Sequence, residues 1–151
     1  MALAAATALL SGLTACAPET VGLDPENRPT LAPEQSPGEA CAVSKTAVDD
    51  LVSQVQRQID AAGASVASGK LPDFSSSVEK LRHSIAAITD GVSNPEVLAA
   101  LDEVRTQIDG FSDIAAPGSV IEVPQYLTRL GTQLKAVQDA AKRMQLLCDA
   151  G

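Results

Sequence analysis

Between Cys41 and Cys148 apolar residues recur at alternating steps of three and four, in four consecutive runs. That period admits little besides helices packed along one face. The first run is Val48, Val52, Val55, Ile59, Ala62 and Val66, and the second is Phe74, Val78, Leu81, Ile85 and Ile88. The third is Val97, Leu101, Val104, Ile108, Phe111 and Ala115. The fourth and longest keeps one register through Val120, Val123, Leu127, Leu130, Leu134, Val137, Ala141, Met144 and Cys148. Steps of this kind hold the side chains on one seam, as in left-handed helix bundles.

The runs are separated by recognisable stops and starts. Gly69, Pro72 and a capping Asp73 divide the first from the second. Gly91 ends the second, and either Ser93 or Asn94 caps the third, with Pro95 at its first position and Glu96 completing a capping box. Pro117-Gly118 and Ser119, with Glu122 three residues on, precede the fourth. Pro124 places that helix start near Val123, with Val120 and Ile121 as a lead-in packed on the core. Short connections favour antiparallel neighbours. The expected fold is therefore all-α, an up-down-up-down antiparallel four-helix bundle over residues 41–151. The echo between Val55–Asp60 and Val104–Asp109 is read as chance among helices built from few residue types rather than as a duplicated hairpin.

The bundle must be filled without aromatic bulk, since the chain has no Trp, one Tyr and two Phe. Leu, Ile, Val and Ala are left to make the core, and small residues at Ala62, Ala115 and Ala141 would draw the helices close. Tyr126, Phe74 and Phe111 are expected to fill that core rather than to line a pocket. The formal net charge of −8, with no cluster of Lys and Arg, argues against a nucleic-acid partner.

Cys41 and Cys148 are an even pair once Cys16 is set apart. Stepping back from Val48 by three and four reaches Cys41, so it opens the first seam as Cys148 closes the last. With four antiparallel helices these positions share one end of the bundle; with three they would lie at opposite ends, too far apart to bond. A Cys41–Cys148 disulfide is expected, the alternative being two free buried thiols.

Ahead of the bundle the composition changes twice. Residues 1–15, MALAAATALLSGLTA, are uncharged and dominated by Ala and Leu. That run is too short for a spanning helix and fits the hydrophobic region of a secretory signal. Its end, Leu13-Thr14-Ala15-Cys16, resembles the lipobox of bacterial lipoproteins, although no Lys or Arg opens the segment as is usual in such signals. The resemblance implies cleavage before Cys16, lipidation of its sulfur, and an extracytoplasmic protein anchored by lipid to the bacterial cell membrane. Two or three acyl chains anchor stably where one is marginal. Residues 16–40 carry five prolines and several acids without apolar periodicity, the pattern of a disordered spacer.

Catalytic patterns are absent from the sequence. His83 is the single histidine, off the apolar seam, with Glu79 four residues earlier, and reads as a solvated side chain rather than a metal ligand. There is no Gly-rich phosphate loop, no Gly-x-Ser-x-Gly and no CxxC. Asp49-Asp50 and Asp102-Glu103 read as solvated acids, and Lys142-Arg143 as complements to a helix C-terminus. No enzyme, cofactor or metal is expected. The expected role is a binding or scaffolding module for another envelope component; the alternative is a carrier holding a small apolar ligand or lipid between its helices.

Overall fold

The computed structural model describes residues 35–150. Four α-helices, α1 (Pro37–Ala67), α2 (Ser75–Asp90), α3 (Pro95–Asp109) and α4 (Val123–Ala150), form an all-α four-helix bundle. A short 3-10 turn, Gly110–Asp113, follows α3. The helices pack in the cycle α1–α2–α3–α4 and back to α1, with a smaller diagonal contact between α1 and α3. The signal-like segment, Cys16 and the spacer up to Glu34 lie outside the described residues.

The first helix starts earlier than its apolar seam suggests. Ser36 caps it by accepting from the Glu39 backbone N–H, while the Glu39 carboxylate accepts from the Ser36 N–H at 2.9 Å, and Pro37 occupies the first position. This complete capping box makes residues that read as spacer, 37–40, the first turn of the helix. These hydrogen bonds hold the Glu39 carboxyl below its usual range. Gln35 is fastened as well, to the turn between α2 and α3. Its backbone N–H donates to Ser93 Oγ, its side-chain amide donates to the Gly91 carbonyl, and its side-chain oxygen accepts from the Ser93 N–H.

Asn94, not Ser93, caps α3. Its side-chain oxygen accepts from the N–H groups of Glu96 and Val97, both at 3.1 Å, and its amide donates to the Gln35 carbonyl. One buried side chain thus ends a helix and holds the incoming chain. Replacing Asn94 by Ala should lower stability by about 1–2 kcal/mol. Asn94→Asp, which keeps the cap but gives up the donor to Gln35, should recover most of that loss in urea unfolding.

The core is continuous and mostly aliphatic. It draws Val48, Leu51 and Val55 from α1, Leu81 and Ile85 from α2, Leu101, Val104 and Ile108 from α3, and Leu130, Val137 and Met144 from α4. In α1 the buried line runs through Ser44 and Leu51, while Val52 and Ile59 are only partly covered. The helix must face both α2 and α4, which widens its buried arc to take in Ser44 and Leu51 beside Val48 and Val55. Ser44 is buried without penalty because its hydroxyl donates to the Ala40 carbonyl at 2.8 Å.

Two sequence expectations fail in the connection between α3 and α4. Val120 and Ile121 are 73% and 87% exposed, so they do not pack as a lead-in to α4. Ala115 is also exposed and forms no part of the helix seam. The reason is that α3 stops at Asp109 and its stripe does not continue. Gln133 on α4 donates to the Gln107 carbonyl at 2.6 Å, closing the end of α3. A Cβ at Gly110 would stand 2.6 Å from that amide, so a larger residue there would displace the Gln133 side chain from this position. At the end of α1, Gly69 takes φ +75°, the left-handed conformation that releases the chain toward α2.

The helices differ in length. At about 1.5 Å per residue, α1 and α4 run roughly 46 and 42 Å, and α2 and α3 about 24 and 22 Å. The start of α1, the α2–α3 turn and the end of α4 share one end of the bundle. The two longer connections, 68–74 and 110–122, occupy the other end.

Candidate functional site

The Cys41–Cys148 disulfide closes the first of these ends. Its Cα atoms are 5.5 Å apart, and it links residues 107 positions apart in sequence. Lys45 pairs with Asp149 at 2.6 Å one turn further in. Asp49, beyond it, accepts from the Gln145 amide. The Asp149 carboxylate raises the Lys45 pKa by hydrogen bond and by charge. Both partners are substantially exposed, so the pair contributes little beyond alignment.

The opposite end carries the concave surface. Phe74, at the entry to α2, and Phe111, in the 3-10 turn, stack with ring centroids 5.0 Å apart and planes tilted by 41°. Tyr126, from the first turn of α4, joins them. All three are at most 4% exposed and border a cleft of about 170 Å³, whose rim includes Asp73, Glu79 and Ile114. The three aromatic residues that the sequence suggested as core filling are therefore both buried and gathered at one cleft. Burial raises the Tyr126 pKa, the Asp73 carboxylate adds to that rise, and a backbone hydrogen bond from Phe74 opposes it.

The rim is held by a single guanidinium. Arg82 on α2 donates to Asp109 at 2.6 Å, to Glu79 at 2.7 Å and to the Ser112 hydroxyl at 2.9 Å. It thereby ties α2 to the end of α3 and to the 3-10 turn, and its own pKa is raised by Asp109 first and Glu79 second. Asp73 accepts from the Ser75 N–H at the start of α2, and that bond holds its carboxyl below the usual range. Sequence spacing does not betray the Arg82 cluster, because Asp109 and Ser112 lie about thirty residues away in the chain.

The remaining polar candidates stand apart. His83 is exposed on α2, and among the described residues no three His, Cys, Asp or Glu side chains come close enough to hold a metal. Asp102 pairs with Arg105 on its own helix. Glu103 reaches across to Arg143 at 2.9 Å, so Arg143 serves an α3–α4 contact rather than the end of α4. Asp50 and Lys142 face solvent.

No protein-family model, curated protein or solved structure matches the chain. Among the described residues no helix is long and apolar enough to cross a membrane. The disulfide is compatible with an extracytoplasmic location, where such bonds persist.

Proposed function

We propose that the chain is a lipid-anchored protein of the bacterial cell envelope whose bundle serves as a binding or scaffolding module for another envelope component. Cys16 carries the lipid in this scheme, and residues 17–34 form the spacer. At about 3.1 Å per residue in the polyproline form, those residues reach roughly 55 Å when extended. The spacer enters the bundle at Gln35, beside the disulfide.

The observation that carries the proposal is the distribution of exposed aliphatic side chains. The two most exposed, Val120 and Ile121 at 73% and 87%, lie side by side in a connection at the end away from Gln35, with Leu71 at 46% in the other connection there, whereas Val43 and Leu146, at 50% and 59%, stand singly on α1 and α4 near the Gln35 end. A partner bound there would meet the tip of a tethered rod, with the anchored end left free of contact. The clefts at this end open to the surface and do not form a chamber between four helices, which favours the module over the carrier.

A photo-crosslinking residue placed at Ile121 in the native host should give one discrete protein adduct, and one placed at Thr46 on α1 should not. Equal labelling from both positions, or none from either, would reject the tip as the contact. Ile121→Ser should leave stability within about 0.5 kcal/mol of the parent, since the side chain packs on nothing, while abolishing the adduct from a crosslinker at Val120. Intact mass of the same material tests the lipid on Cys16 separately.

A further inference from the structure

The chain enters the bundle at Gln35, and the exposed pair Val120 and Ile121 stands at the other end. A pull between those two points runs through covalent bonds. Along the sequence it would pass through α1, α2 and α3 before reaching the connection. The Cys41–Cys148 bond offers a shorter route. That route leaves α1 in its second turn, crosses to the last turn of α4 and runs down α4 alone.

The geometry points to a strain-limiting strap: the disulfide sends tension from the spacer into α4 and keeps it off the rest of the bundle. From Cys41 to Ile121 through the other helices the chain holds about three times as many residues as α4 offers from Cys148, so that longer loop stays slack.

The surroundings of the bond suit this role. The stretch ahead of it is latched, because Gln35 bonds Ser93 and the Gly91 carbonyl while Asn94 bonds the Gln35 carbonyl. Exposed hydrogen bonds are individually weak, so the latch yields first and the covalent bond halts release at Cys41. Beyond the bond, α4 is about 42 Å long and packs on both α1 and α3. Drawn from its two ends, it must slide along both neighbours, and its contacts fail together. Without the bond, α1 is drawn from its start and loses its hydrogen bonds turn by turn. Lys45–Asp149 and Gln145–Asp49 join the same two helices just inside the bond and brace the junction.

This inference rests on the reading of residues 16–34 as a tether and of Ile121 as the contact, and it adds what a tethered rod does under load. Optical-trap pulling of the full chain tests it, with Cys16→Ser leaving Cys41 and Cys148 as the remaining cysteines. One handle is joined to the N-terminus and the other to an azide-bearing residue placed at Ile121. At about 3.5 Å per extended residue, unfolding of the oxidised chain should add roughly 75 Å of contour length. The reduced chain, and the C41A/C148A variant, should add roughly 260 Å and do so at lower force. An oxidised chain that adds roughly 260 Å, or that yields at the same force as C41A/C148A, would overturn the inference. The short step at high force, with no adduct from a crosslinker at Ile121, would sink the docking proposal and leave the load path intact.

Discussion

Replacing Cys41 and Cys148 together by alanine lowers the thermal midpoint of the bundle by roughly 15–20 °C. The number follows from loop size. The bond joins positions 107 residues apart, and in the chain-entropy treatment a loop of about a hundred residues confers close to 4.7 kcal/mol. A domain of this length shifts by about 4 °C per kcal/mol. Alanine is the suitable replacement because Cys41 is 7% exposed, and a serine hydroxyl there would need a partner. Scanning calorimetry of the variant and of the reduced parent should agree within about 3 °C, since the volume lost is small. A drop under about 5 °C in both would mean that the two ends are already held together without the bond, by Lys45–Asp149 and Gln145–Asp49. The chain-entropy account would then be wrong for this bundle.

The architecture was legible because it rests on spacing. Steps of three and four at Val97, Leu101, Val104 and Ile108 place those side chains on one face whatever their neighbours are, and all four are fully buried. Spacing does not state the rotation of a helix about its axis. In α1 the run buries its Val48, Val55 and Ala62 as its spacing suggested, while contact with two neighbouring helices covers Ser44 and Leu51 more fully than Val52 and Ile59. Nor does periodicity recognise where a stripe ends for reasons of backbone closure. The run through Phe111 and Ala115 looked like more helix, but the Gln133 amide closes α3 at Gln107 and turns the chain. From Ile114 to Ile121 the chain is connection.

The cleft was illegible for a related reason. Phe74 and Phe111 occupy core positions of two different runs and Tyr126 stands beside Leu127 of a third, and the reading of all three as core filling set aside the pocket that they border. Their meeting depends on α2 and α3 being shorter than α1 and α4. The connections are thereby brought against the first turns of α4, so that residues at the starts and ends of elements converge. The Arg82 cluster arises in the same way, from the end of α3 reaching the side of α2. The capping box at Ser36–Glu39 is different in kind. It was present in the sequence, but the surrounding prolines outweighed it, although Pro37 at the first helical position supports a helix start.

Phe111→Ala should be the most damaging single substitution at the cleft end, lowering stability by about 3–5 kcal/mol. The ring is 2% exposed and packs on Phe74 at 5.0 Å, so truncation removes both its burial and an aromatic pair worth about 0.5–1.5 kcal/mol more. Phe111→Leu, which keeps most of the volume, should recover the larger part in urea unfolding. Tyrosine emission should change in the alanine variant even under folding conditions, because Tyr126 borders the same cleft. The position also tests whether the two ends of the bundle are energetically separate. The disulfide and Phe111 lie near opposite ends of a bundle whose long helices exceed about 40 Å, with no shared partner, so their effects should add. The combined loss, about 8 kcal/mol, is comparable with the whole stability of a typical domain, and the triple variant C41A/C148A/F111A should be unfolded at about 37 °C. A triple variant that stays folded, with Phe111→Ala alone below about 1 kcal/mol, would mean that the connection at 110–122 is only a loose cover over a bundle complete without it. The cleft would then have no fixed wall on that side.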